Sequence, residues 1–151
     1  MIQSLQQVPP KLQKKLLTLG GTRVALVFAR EPHVAALLTQ GKLFTQSIRL
    51  QRGRRNQCHT NAAAIWGEDI DRYRLATGYA LSRGCWRQHS WVVDEKHLYE
   101  TTEKREKYFG IELDQVHACR FWVVNFLEVR YPGPWNLMLK IGKQAQCSEP
   151  L

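Results

Sequence analysis

The stretch Gln57-Cys-His-Thr-Asn-Ala-Ala-Ala-Ile-Trp66 decides how the chain is read, because a run of helix formers opens on a cysteine just after the basic segment Arg52-Gly-Arg-Arg55. Asn56 is a good N-cap residue, so a helix is expected to begin at or just before Cys58. A thiol there meets the positive end of the helix dipole and unpaired backbone N–H groups, which stabilise the reactive thiolate. The same N–H groups, with the Asn56 or Gln57 side chain nearby, are suited to hold an oxyanion.

Three strand candidates follow: Tyr73 to Leu81, Trp86 to Val93 and His97 to Thr102, separated by Ser82-Arg-Gly84 and Asp94-Glu-Lys96. Two consecutive hairpins of one antiparallel sheet are the simplest reading. Alternation sets Arg87, His89 and Trp91 on one strand face and Gln88, Ser90 and Val92 on the other. A thiol nucleophile needs a base of fixed orientation, and His89 inside a strand meets that need. Glu100 comes alongside His89 if the intervening turn is tight, where a carboxylate would hold the imidazole tautomer and stabilise the imidazolium. Asp94, at the turn, is the weaker alternative, since a solvated acid is ordinary there.

Before this region, Pro9 and Pro10 lead into Leu12, Leu16, Leu17 and Leu19 at helical spacing, closed by Gly20-Gly21, with Lys11, Lys14 and Lys15 facing water. Thr22 to Ala29 reads as a strand, Pro32 to Gln40 as a short helix ended by Gly41, and Leu43 to Leu50 as a strand or an ordered loop. After it, the apolar run Cys119 to Leu127 is expected to be helical, and Pro132 and Pro134 mark an irregular tail. No internal repeat or linker interrupts the chain.

The 151 residues suit a single domain, 1–151, with one hydrophobic core. Apolar residues make up 44% and charged residues 23%, and no apolar run approaches the roughly 20 residues a membrane helix needs. Met1 to Gln13 lacks the features of a signal peptide, so a cytoplasmic location, or export by a route without such a signal, is expected. Cys58, Cys85, Cys119 and Cys147 form no C-x-x-C pair, which favours free thiols in a reducing compartment, with Cys85 and Cys119 inert. The net charge of +9 attracts anions in general.

Together, Cys58-His-Thr-Asn-Ala-Ala, Gly78-Tyr79, His89-Ser-Trp91 and Glu100-Thr-Thr102 resemble the transglutaminase-like core pattern of a helix-start cysteine, G-Y, H-x-W and D-P-T. Papain-like amidases of the NlpC/P60 type are similar in the same order of cysteine on helix, histidine on strand and polar residue on the next strand. The resemblance covers Gln57 to Thr102, about a third of the chain. It implies an α+β papain-like fold with N-terminal helices packed on a central antiparallel sheet, and a triad of Cys58, His89 and Glu100. It further implies a thiol-dependent hydrolase (peptidase, amidase or deamidase) or acyltransferase acting on an amide or thioester, without metal or organic cofactor. Substrates of that class are protein, peptide or peptidoglycan-like amides. Glu100 stands where the transglutaminase pattern has Asp, and Cys58 and His89 lie only 31 residues apart. Both departures favour hydrolysis, or a compact family of its own, over transfer to an amine.

Blander readings stand beside these. A lone cysteine near a helix start is usually a small buried hydrophobe. His59 points about 100° away from Cys58 on a helix and suits a capping role. Trp66, Trp86, Phe121 and Trp122 read as core, and Trp91 as core that could flank the site. Cys58, His59, Cys85 and His89 could be drawn as a zinc site, but without structural-finger spacing. Arg52, Arg54 and Arg55, with Arg49, form a solvated basic face or a site for an anionic partner or substrate. The rival class is a basic nucleic-acid-binding or interaction module without catalysis.

Overall fold

The computed structural model describes residues 5–132 and is of α+β class. The chain gathers into two compact units, one of residues 5–45, 77–90 and 104–111, the other of residues 46–76, 91–103 and 112–132. Strands β4 (Arg74–Ser82) and β5 (Cys85–Val93) contribute residues to both.

In the first unit, helix α1 (Pro10–Thr18) starts with proline at its first position, where no N–H is required. Leu12 and Leu16 on its inner face are fully buried, each stabilising the unit by roughly 1.5–3 kcal/mol. The helix stops at Gly20 and Gly21, whose positive φ values of 132° and 75° suit glycine. The expected strand Thr22 to Ala29 shortens to β1 (Arg23–Val24), which pairs in parallel with β5, Arg23 against Cys85. Further along, Val27 pairs with Gln6 instead, so one segment divides its hydrogen bonds between two partners. Helix α2 (Val34–Gln40) is followed at Gly41 by β2 (Lys42–Leu43), antiparallel to β7 (Lys107–Glu112). Strand order in this unit is β2-β7-β4-β5. Strand β7 had no alternation to reveal it, because Tyr108, Phe109, Gly110 and Ile111 are all buried and both faces are covered.

In the second unit, β5 runs antiparallel to β6 (His97–Glu100), with Val92 opposite Tyr99. Strand β3 (Ser47–Leu50) lies parallel to β6, Leu50 opposite Glu100. Strand order here is β4-β5-β6-β3. Two parallel pairs, β1 with β5 and β3 with β6, therefore correct the expectation of a purely antiparallel sheet. Helix α3 (Cys58–Glu68) packs against α4 (Gln115–Trp122) and its π-helical continuation (Val123–Leu127), which in turn contacts α5 (Glu128–Arg130). Ala62, Ala63, Ile65, Trp66, Leu75 and Trp122 lie in the core they share with Val92 and Tyr99. At Gly67 a Cβ would run into the Trp122 indole, so the small residue sets how closely α3 and α4 approach. Among the described residues no helix is long and apolar enough to cross a membrane. Of the expected irregular tail, Pro134 lies outside the described residues.

Candidate active site

Cys58 is the first residue of α3, as its helix-forming sequence predicts. The N-cap is Gln57 rather than Asn56. Asn56 instead takes a left-handed conformation, φ 58°, which asparagine tolerates better than most residues and which turns the basic loop into the helix. Gln57 makes no side-chain cap, and no acid occupies the first turn to oppose a thiolate. The thiol is not disulfide-bonded and is half-buried.

Loop 51–56 is built onto the elements on either side of it. Gln51 N–H donates to the Glu100 carbonyl at 2.8 Å and Gly53 N–H to the Thr101 carbonyl at 2.8 Å, extending the pairing of β3 with β6. Asn61, one turn after Cys58, accepts from Arg54 N–H at 3.0 Å and donates to the Arg54 carbonyl at 2.7 Å. Its carboxamide approaches Gly53 so closely that a Cβ there would collide with it. The sequence reading missed Asn61 and Gly53. The glycine between arginines was the available signal, since it marks a close approach.

Glu100 ends β6 and is fully buried. Its Oε1 accepts from Thr102 N–H at 2.7 Å and from the Thr102 hydroxyl at 2.9 Å. On the antiparallel β5–β6 ladder Val92 stands opposite Tyr99 and Val93 opposite Leu98. His89 precedes Trp91 by two residues on β5 and so shares its strand face.

His89 is 4% exposed, in the interior of β5. In its own unit its ring lies 6.2 Å from that of Tyr108, tilted by 40°, and its carbonyl accepts from the Thr77 hydroxyl at 3.5 Å. The Ser90 hydroxyl donates to that same Thr77 oxygen at 3.0 Å, so the Thr77 hydroxyl ties two successive residues of β5. Such an imidazole sits on a rigid element.

The other residues singled out from sequence fall into structural roles. His59 meets Phe121 edge-on at 5.8 Å, on the core side of α3. The turn before β6 is tight, Asp94 N–H donating to the His97 carbonyl at 3.0 Å. The Asp94 carboxylate holds this turn, accepting from Lys96 N–H, His97 N–H and the Tyr99 hydroxyl at 2.7–2.9 Å. Burial pushes the Asp94 carboxyl up, but the Tyr99 hydroxyl and the two N–H groups outweigh it and hold it well below the usual carboxylate range. Cys85 is buried and free, whereas Cys119 is disulfide-bonded. This corrects the expectation that Cys119 is a free thiol, since pairing depends on proximity in space that cysteine spacing does not report. Trp66, Trp86, Trp91 and Trp122 are buried and Phe121 is half-buried. Among the described residues no group of three or more His, Cys, Asp or Glu side chains could hold a metal ion.

The first unit also holds a buried carboxylate that the sequence reading did not single out, Glu31. Glu31 is 6% exposed and accepts from Tyr79 at 3.2 Å, from Gln88 at 2.8 Å and from His33 N–H at 3.0 Å. Burial first, and then the neighbouring Glu31 carboxylate, raise the Tyr79 phenol far above its ordinary value, so it stays a donor. Tyr79 of the Gly78-Tyr79 motif thus anchors Glu31. Gly78 lies so close to the Phe109 carbonyl on β7 that a Cβ would collide with it.

Comparison of the chain with protein-family models, with curated proteins and with solved structures gave no match.

Proposed function

We propose that the chain is a thiol-dependent hydrolase of papain-like or transglutaminase-like type that cleaves an amide or thioester through Cys58, His89 and Glu100. The observation that carries this reading is the reduced, half-buried Cys58 thiol at the first residue of a helix whose first turn holds no acid. Both features lower the cost of forming a thiolate. His89 on the interior of a strand and Glu100 as a fully buried carboxylate held by Thr102 support it further.

In this reading Cys58 gives its proton to His89 and the thiolate attacks the acyl carbon, forming a C–S bond while the carbonyl electron pair moves onto oxygen. Backbone N–H groups at the start of α3 receive the oxyanion. Collapse of the intermediate expels the amine or thiol, which takes the proton from His89 and leaves a thioester on Cys58. Water then gives a proton to His89, attacks the thioester and releases a carboxylic acid and the Cys58 thiol. Glu100 stabilises the imidazolium in both half-reactions and fixes which ring nitrogen carries the proton. Thr102 orients Glu100 through Oε1.

The test is iodoacetamide labelling at neutral pH with the modified residues mapped by mass spectrometry. Cys58 is expected to react well before the buried Cys85 and before any other thiol of the chain. Equal rates, or no reaction at Cys58, would sink the proposal. A thioester adduct trapped on Cys58 after incubation with a lysate, absent in Cys58→Ala of unchanged stability, would identify the acyl group.

A further inference from the structure

We infer that loop 51–56 recognises a carboxylate, and that the substrate is a polypeptide carrying acidic residues beside the carbonyl that Cys58 attacks. The inference rests on Cys58 being the nucleophile and adds to it the substrate class.

Three arginines, Arg52, Arg54 and Arg55, occupy four consecutive positions with only Gly53 among them, and all three are exposed. Elsewhere in the same unit arginines have acids: Arg74 is 2.8 Å from Glu112 and Arg72 is 3.5 Å from Asp94. Among the described residues, Arg52, Arg54 and Arg55 have no such carboxylate. Guanidinium groups so close in sequence repel one another, and an incoming anion relieves that repulsion.

Unpaired arginines on a mobile loop would be an ordinary solvated face. Here the backbone beneath them is tied at Gln51 to Glu100 of β6, at Gly53 to the following residue Thr101, and at Arg54 by two hydrogen bonds to the buried Asn61 on the first turn of α3. The loop is ordered before any ligand arrives, so less entropy is lost on binding. Because Asn61 is one turn from Cys58, the same carboxamide fixes the arginine loop against the start of the nucleophile's helix. Guanidinium forks match carboxylates in a bidentate manner.

Polypeptide fits better than nucleic acid for two reasons. A thiol of this kind attacks an acyl carbon, which a phosphodiester chain does not offer. Three arginines on one short loop also match one or two carboxylates, whereas tight nucleic-acid binding engages about 6–10 phosphates.

The experiment compares two neutral-pH alkylating probes on the full chain, chloroacetylated Glu-Glu-amide and its isostere chloroacetylated Gln-Gln-amide. In each, the Cys58 thiolate displaces chloride and forms one C–S bond, so the probes differ only in charge. The acidic probe is expected to label Cys58 about tenfold faster. That ratio should fall toward one in the R52Q/R54Q/R55Q variant and, in the unmodified chain, as salt shortens the Debye length to a few ångströms. The salt series reads the same quantity should the triple variant fail to fold. A ratio near one in the unmodified chain, or a ratio that survives both salt and arginine replacement, overturns the inference. If the neutral probe labels Cys58 no faster than Cys85, the nucleophile reading falls and takes the substrate class with it. Fast neutral labelling with a ratio near one removes the substrate class alone. Binding of a duplex oligonucleotide through these arginines at physiological salt, with a ratio near one, assigns the loop to nucleic acid and likewise overturns it.

Discussion

Asn61 links two features that sequence reading treated separately, the basic loop and the cysteine-bearing helix. Its carboxamide satisfies both the N–H and the carbonyl of Arg54, and it is 9% exposed. Asn61→Ala would strand two backbone groups and is expected to lower the unfolding free energy by about 1–3 kcal/mol in a urea titration. It should also slow alkylation of Cys58. Full stability with unchanged labelling would mean that the loop does not shape the start of α3. Gly78 offers a sharper probe, since an added methyl would meet the Phe109 carbonyl and the Gly110 Cα, backbone atoms that cannot rotate away. Gly78→Ala is therefore expected to cost about 1–3 kcal/mol or more, and a Tm equal to that of the parent chain would refute the close approach. The Gly78-Tyr79 motif thus has a structural reason independent of chemistry: glycine admits β7, and tyrosine holds Glu31. Of the candidate site, Cys58 was legible because helix-start chemistry is local. Glu31 was not, because its partners Tyr79 and Gln88 come from distant strands.

Hairpin β5–β6 depends on one carboxylate. Asp94 is held well below the usual carboxylate range by Tyr99 and two turn N–H groups, despite the opposing push of burial. A depressed folded-state value contributes stability above the unfolded-state value, about 3.9, and that contribution is lost as pH falls through the folded value. The parent chain is thus expected to lose stability as pH drops below about 4, and Asp94→Asn to show a flatter acid limb over that window. Parallel acid limbs in urea titrations of the two would disprove this role. Helix α4 supplies a second element-scale check, because Asp114 caps it, accepting from His117 N–H at 2.8 Å. That backbone hydrogen bond first, and then the His117 ring, hold the Asp114 carboxyl down. Asp114→Ala is expected to cost about 1 kcal/mol in thermal or urea unfolding, as loss of a helix N-cap does. Helices α1, α2 and α3 and strands β4 to β6 were legible as elements because proline, glycine and apolar spacing act within a few residues. Strand β7 was not, because burial on both faces erases alternation.

At the scale of the whole molecule, a net charge of +9 attracts any polyanion at long range. A duplex DNA oligonucleotide is expected to bind weakly at low salt and to be released by physiological salt, equally for the parent chain and Cys58→Ala. Retention at physiological salt would favour the nucleic-acid reading over the hydrolase. The α+β class and the position of Cys58 at a helix start were already determined by the order of residues, since caps, breakers and periodicity are properties of neighbours in the chain. Tertiary structure alone decided the strand partners. Residues 42–50 split into β2 and β3, which pair with β7 and with β6 respectively, each about 50 or more residues away, and β1 lies parallel to β5. Tertiary structure also decided that Glu100 faces Leu50 on β3 and that Asn61 holds Arg54. Such pairings depend on which surfaces are buried together, and no local preference in a single chain encodes that.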